Sequence, residues 1–189
     1  VAPVETVETW WRQHRALQAA WPVSIDLAIA AGFAADRVGW AFASAYQAAL
    51  RALVPELSPD SVTALCVTES PKISSRAMQC AVGDEGHGGL RLDGAKRWTM
   101  LGPEGTLFLV AARDTRTLGE RPQIRLVQVP ADAPGVDVQA MPPTDFVPEV
   151  PHARLRFQRV AVPESALLAG DGYSRYVKPF RSIEDLHVH

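Results

Sequence analysis

The stretch Ala64-Leu65-Cys66-Val67-Thr68-Glu69-Ser70 closes an apolar run on a hydroxyl and a carboxylate. A strand ending this way can offer backbone groups and a short hydrogen-bonding side chain to the polar edge of a ligand. The plainer reading is a strand entering a turn, where Thr, Glu and Ser are ordinary. A second stretch, Gly89 to Met100, carries Trp98 and Met100 among cations. Asp93-Gly94 within it is a hairpin signal, because a type I′ turn needs positive φ at both central residues. Such a turn opposes Leu92 to Ala95, Leu90 to Arg97 and Gly89 to Trp98. Opposed residues share a face and faces alternate along a strand, so Leu90, Leu92 and Ala95 form a core side. Arg97 falls there too, with its stem along the core and its head in water. Gly89, Arg91, Lys96, Trp98 and Met100 form the other side, suited to something flat and partly anionic.

Other chemistry-bearing residues carry less. Gly83-Asp84-Glu85-Gly86-His87-Gly88-Gly89 resembles a phosphate loop only superficially: it opens no helix, and its two carboxylates repel phosphate. It reads as a connection between strands. His187 and His189 have the spacing of a metal pair without an evident third ligand, so they read as helix-surface histidines and no metal site is assigned. Cys66 and Cys80 give no disulfide framework and read as buried thiols. Ser74 alone is a loop serine.

These residues need elements to hold them. The chain has 189 residues, 47% of them hydrophobic, and a formal charge of −2. That is an ordinary globular composition, with no basic excess for nucleic acid, no membrane span and no signal peptide; a cytoplasmic location is the expectation. Val1 in place of a start methionine predicts processing or a piece of a longer chain. Pro3 suits the first turn of a helix carrying Val4, Val7, Trp11, Leu17 and Trp21, and Pro22 ends it. Ser24 or Asp26 caps a second helical stretch, alanine-rich from Leu27 to Leu53, in which Gly32 and Gly39 either admit close contacts or divide it in two.

Strand signals follow at Val62–Glu69, Arg76–Val82, Leu90–Asp93, Ala95–Met100, Thr106–Ala112, Ile124–Val129, Val136–Met141 and Ala153–Val162. Leu107 to Ala112 has the continuous apolar pattern of a central strand. In the last strand Leu155 and Phe157 hold odd parity while Val160 and Val162 hold even parity, which predicts a bulge near Gln158-Arg159. Ser182-Ile183-Glu184-Asp185 is a capping-box pattern for a further helix. The fold class is therefore α+β: N-terminal helices (1–60), an antiparallel β-barrel or sandwich (61–172), and the start of another helical region (173–189).

In this order, the helices, A-L-C-V-T-E, L-D-G-A-K-R-W and A-R-L-R-F-Q-R-V-A-V-P-E with L-L-A-G close behind resemble the acyl-CoA dehydrogenases, most specifically over Val62 to Gly172. The resemblance implies FAD as cofactor and α,β-dehydrogenation of an acyl-CoA thioester. It also implies an electron-transfer acceptor as partner and a homo-oligomer. By the same resemblance Val67 and Thr68 hold the flavin edge, Trp98 packs on the flavin, and Ser74 lies near the thioester. Met100 stands where the family carries a hydroxyl, and Ile73-Ser74-Ser75 stands for its G-S-D; one flavin hydrogen bond, worth about 0.5–1.5 kcal/mol, is then lost. The family's catalytic glutamate comes from a C-terminal helical domain, so no catalytic residue is assigned within this chain. The chain alone is expected to bind flavin weakly or not at all and to show no turnover. The rival readings are a degenerate homologue serving as a binding or assembly subunit, and a β-barrel carrier of an apolar ligand.

Overall fold

Among the described residues, three N-terminal helices pack on one face of a curled seven-stranded sheet, and a fourth helix returns across them. The computed structural model describes residues 3–69, 77–86, 89–117 and 122–189. Helix α1 spans Val7–Ala20 and starts where Thr6 accepts a hydrogen bond from the Thr9 amide at 3.2 Å. Helix α2 spans Ser24–Ala34 and α3 spans Val38–Leu53, so the alanine-rich stretch is two helices. The alanines let α3 approach its neighbours closely: Ala43, Ala48 and Ala49 are fully buried. Two tryptophans bridge the helices with their polar ends satisfied. The Trp10 indole donates to Ser44 Oγ at 2.9 Å and the Trp40 indole to the Val4 carbonyl at 2.8 Å, with the rings stacked 5.7 Å apart.

The strands are β1 (Thr63–Cys66), β2 (Ala81–Gly86), β3 (Gly89–Met100), β4 (Leu107–Asp114), β5 (Ile124–Pro130), β6 (Val136–Ala140) and β7 (His152–Val162). Their order is β1-β4-β2-β3-β7-β6, with β5 paired to β4. The apolar run in β4 is the central strand its pattern predicted. It pairs with β5 along one side, and on the other with β1 near its start and β2 near its end. The pairings of β4 with β1 and β2 are parallel, so the sheet is mixed. One apolar core lies between helices and sheet, and a second fills the curl of the sheet.

Several local expectations are overturned. The segment read as a connection from Gly83 to Gly89 is largely strand: Gly83–Gly86 belongs to β2 and pairs with the start of β3. Asp93-Gly94 is not a hairpin turn: β3 runs through it as one twelve-residue strand. The long alternating strand β7 supplies a partner for that whole length, and pairing outweighs the local turn preference. The bulge expected at Gln158-Arg159 sits opposite, between the pairs Leu92↔Val160 and Gly94↔Phe157, with Arg159 at φ 50° and its amide bonded to Asp93 at 2.8 Å. The extra residue of this bulge lies in β7, so β3 keeps its alternation through Gly94: Lys96 is buried on the side of Leu90 and Leu92, and Ala95 faces solvent, the reverse of the hairpin faces. Ser182 does not open a helix either. Asp171 caps an earlier start by accepting from the amide and hydroxyl of Ser174, both at 2.7 Å. A wide turn over Tyr173–Val177 then runs into α4 (Lys178–Val188). This helix lies across α2 and α3: Phe180 meets Tyr46 edge to face, and His187 bonds Ser24 Oγ at 3.0 Å. His187 is thus buried rather than on the helix surface.

The proline-rich loop before β7 fastens the helices to the sheet. Val147 and Val150 are buried in the shared core, and Glu149 Oε1 accepts from the Gly39 amide at 2.9 Å. No side chain of α3's own N-cap, Arg37, fills that role. A carboxylate at a helix N-terminus satisfies an orphan donor and meets the positive end of the dipole. Glu149→Ala is expected to cost about 1 kcal/mol and Glu149→Gln less, read as shifts in urea midpoint. Equal midpoints for all three proteins would remove this role.

Candidate functional site

The end of β1 is built by long-range contacts. Its outer edge is covered by α3: the Gln47 amide nitrogen donates to the Thr63 carbonyl at 2.7 Å, and Gln47 Oε1 accepts from the Thr63 amide at 3.1 Å. The side-chain amide thus stands in for a neighbouring strand. Tyr46 accepts from the Leu65 amide at 2.8 Å, and its burial pushes the phenol pKa up. The ladder with β4 stops at Cys66↔Val110. Beyond it the Lys96 ammonium donates to the Val67 carbonyl at 3.3 Å, and the Arg97 amide donates to the Thr68 carbonyl at 2.8 Å. Glu69 turns away from Thr68. Its Oε1 accepts from Lys96 at 2.7 Å and from the Cys80 amide at 3.0 Å, and its Oε2 accepts from the Gln79 amide at 2.7 Å.

The neighbouring part of β3 is bulged. Between Lys96↔Leu155 and Thr99↔Ala153 it carries an extra residue, and Trp98 adopts φ 58° there. The left-handed backbone swings the indole outward, where it is 48% exposed. The Arg97 guanidinium carbon lies 5.4 Å from the indole centroid, and the His152 and Trp98 rings meet edge to face with centroids 6.2 Å apart. Burial pulls the His152 pKa down, and its Nδ1 lies 3.0 Å from the Val150 carbonyl. Thr99 is buried, and its hydroxyl has no hydrogen-bond partner among the described residues.

The structure therefore places Val67, Thr68 and Trp98 at one junction between β1 and β3. Met100, expected on the same exposed face as Trp98, is buried at 6% exposure in the cluster against which Val67 packs. Ser74 lies outside the described residues. Lys96, Gln47 and Tyr46 are the positioning contacts that pattern reading missed. Complementary charge at Glu69 and Lys96 was the available signal, obscured by assigning Lys96 to an exposed face.

The carboxylates near the junction are committed elsewhere, Glu69 to Lys96 and two amides and Glu149 to α3. Cys66 and Cys80 are free and buried, with their thiols pushed up to about 12 by desolvation, so both are inert protonated thiols at neutral pH. Among the described residues no three His, Cys, Asp or Glu side chains group to hold a metal ion. No helix there is long and apolar enough to cross a membrane. An outward indole beside half-buried Val67 and Thr68 fits a planar heteroaromatic cofactor, giving it one apolar wall and hydrogen-bonding groups at its edge.

Residues 64–160 match the family model of the acyl-CoA dehydrogenase middle domain. Probable acyl-CoA dehydrogenase FadE10 of Mycobacterium bovis, and that of Mycobacterium tuberculosis, are 29% identical over 125 residues, covering 65% of this chain. The match spans 19% of those relatives' own length. Among solved structures, acyl-CoA dehydrogenase from Geobacillus kaustophilus is 25% identical with TM-score 0.59, over 68% of this chain and 34% of its own. PigA with FAD and proline aligns with TM-score 0.73 at 19% identity, over 95% of this chain and 54% of its own. Butyryl-CoA dehydrogenase from Megasphaera elsdenii aligns with TM-score 0.65 at 18% identity, over 87% and 45%. At these last two identities the likeness is one of fold.

Proposed function

Because the chain belongs to the acyl-CoA dehydrogenase family through its middle domain, we propose that it serves the α,β-dehydrogenation of an acyl-CoA thioester and holds the edge of FAD. The observation that carries this reading is the junction itself: the Val67–Thr68 strand end fixed to the bulge of β3 beside a half-exposed Trp98. When bound, FAD accepts the hydride that leaves the substrate's β-carbon. Thr68 hydrogen-bonds the edge of the ring and Trp98 covers one side of it, excluding water and fixing its orientation. Ser74 is assigned to the thioester. The proposal includes division of the chain at about residues 60 and 172, an electron-transfer acceptor as partner, a homo-oligomer and a cytoplasmic setting. No residue of this chain is assigned as the base, since Glu69 is held by Lys96 and two backbone amides.

Because Val67, Thr68 and Trp98 are brought together within this chain, the expectation of weak or no binding narrows to weak: FAD titrated into the 189-residue protein, followed by flavin fluorescence and absorbance, should show weak saturable binding. Thr68→Val keeps the shape and removes the hydroxyl, and should weaken binding by about 1–3 kcal/mol, several-fold to over a hundredfold, with an unchanged circular dichroism spectrum. Equal affinity for the variant would remove Thr68 from the site.

Met100 favours a second reading, a homologue that binds or assembles without turnover. Its side chain fills the core at the position where the family carries a hydroxyl, and the neighbouring Thr99 hydroxyl is buried. Wild-type protein with no saturable FAD binding would select this reading over the first.

A further inference from the structure

We propose that Lys96 is a positioning residue for Thr68, setting the place at which this strand end meets the flavin; the proposal rests on the flavin reading above. One ammonium brackets the threonine. Lys96 Nζ bonds the carbonyl of Val67 on one side at 3.3 Å and the carboxylate of Glu69 on the other at 2.7 Å. Its side chain is 0% exposed, so the contacts are not a fluctuating surface pair. They replace a ladder that is no longer there, because pairing of β1 with β4 ends at Cys66. A backbone tie from the Arg97 amide to the Thr68 carbonyl comes from the residue next to Lys96. Both anchors of Thr68 therefore issue from the start of the bulge that also turns Trp98 outward. Displacement of Lys96 would move the strand end relative to the indole.

Glu69 extends the clamp. Its two oxygens hold the amides of Gln79 and Cys80, which lead into β2, while Oε1 also holds Lys96. A buried ammonium is costly to desolvate and is retained where it specifies a geometry, since apolar groups of similar volume often serve stability as well or better. Here the geometry is the spacing between one strand end, one bulge and the entry to a third strand. Lys96 itself does not contact the proposed ligand; it acts through Val67 and Glu69.

The test compares wild type with Lys96→Met, which fills the slot without the charge, by amide hydrogen exchange and by FAD titration on the 189-residue chain. We expect exchange at Arg97, Gln79 and Cys80 to quicken at least tenfold, while amides within α3 keep their protection. Affinity for FAD should fall at least tenfold. At saturating FAD the visible band of the bound flavin should differ from that of wild type, because the hydrogen bonds at the ring edge are displaced. A merely structural role would lower the melting temperature and speed exchange throughout, leaving the saturated spectrum unchanged, and that result overturns the proposal. So does unchanged exchange at the three amides. Should Lys96→Met fail to fold, Glu69→Gln loosens the same clamp from its other end and is read by the same three measurements. Absence of FAD binding by the wild type overturns the flavin reading instead, and the exchange data then decide alone whether Lys96 clamps the strand.

Discussion

Gly94→Ala is expected to destabilise the protein by about 2–4 kcal/mol, combining backbone strain with overpacking. Gly94 has φ 142°, a conformation L-residues rarely adopt. An added Cβ would lie 2.6 Å from Cys80 Cα and 2.9 Å from its sulfur. Cys80 is fully buried and has no room to retreat. Gly94→Asn sharpens the test. In a type I′ hairpin turn asparagine tolerates the positive φ of a central position and would cost clearly less than alanine. In a continuous strand kinked over Cys80 it should destabilise at least as much as alanine does. Urea denaturation of the three proteins measures both, and a midpoint for Gly94→Asn clearly above that of Gly94→Ala would restore the hairpin and contradict the strand.

That glycine also shows where the sequence was legible. Asp-Gly signals positive φ at both residues, and here Gly94 has it while Asp93 does not; the glycine alone does not distinguish a turn from a kink. What decides is β7, eleven residues that need a partner along their length. The parity break within β7 was readable because it depends on alternation inside one segment, and it located the bulge at Gln158-Arg159. The central strand β4 was readable for the same reason. Ser182 failed differently: a capping box is a local pattern, and Asp171 with Ser174 had already started the helix further upstream. At the candidate site, the strand end and Trp98 could be named from family-like motifs. Gln47, Tyr46 and Lys96 could not, because each acts on a backbone group sixteen or more residues away. Sequence periodicity assigns such residues only to a face, and partners across elements depend on how the sheet curls.

His14 should give the protein a steep acid limb that begins well above the carboxylate range. The residue is 1% exposed among Trp10 and Trp11, and neither ring nitrogen has a hydrogen-bond partner in the structure. Desolvation first, and the charge of Arg51 second, pull its pKa from 6.5 to about 3. The folded pKa lies below the unfolded one, so between these values the unfolded chain binds the extra proton. His14 therefore adds no pH-dependent cost above pH 6.5, and stability is lost progressively as pH falls from 6.5 toward 3. Linkage gives a loss of about 1.4 kcal/mol per pH unit within that window, so roughly 2–3 kcal/mol between pH 6.5 and 4.5. Asp36, Asp114 and Asp171 also have lowered pKa values, and their losses begin only as pH nears their unfolded value of 3.8. Burial raises the pKa of Glu184, which acts in the opposite sense, and burial lowers that of His152, which acts in the same sense. Both remain when His14 is replaced, so the variant isolates the His14 share. His14→Phe keeps an aromatic ring against Trp11 and removes the titrating group together with its unpaired nitrogens, a change expected to be neutral or stabilising at pH 7. Urea midpoints measured from pH 7.5 to 4.5 should fall steeply for wild type and by about 2–3 kcal/mol less for His14→Phe. Parallel profiles for the two proteins would place the acid sensitivity elsewhere and show that a buried water or a local opening serves the protonated ring.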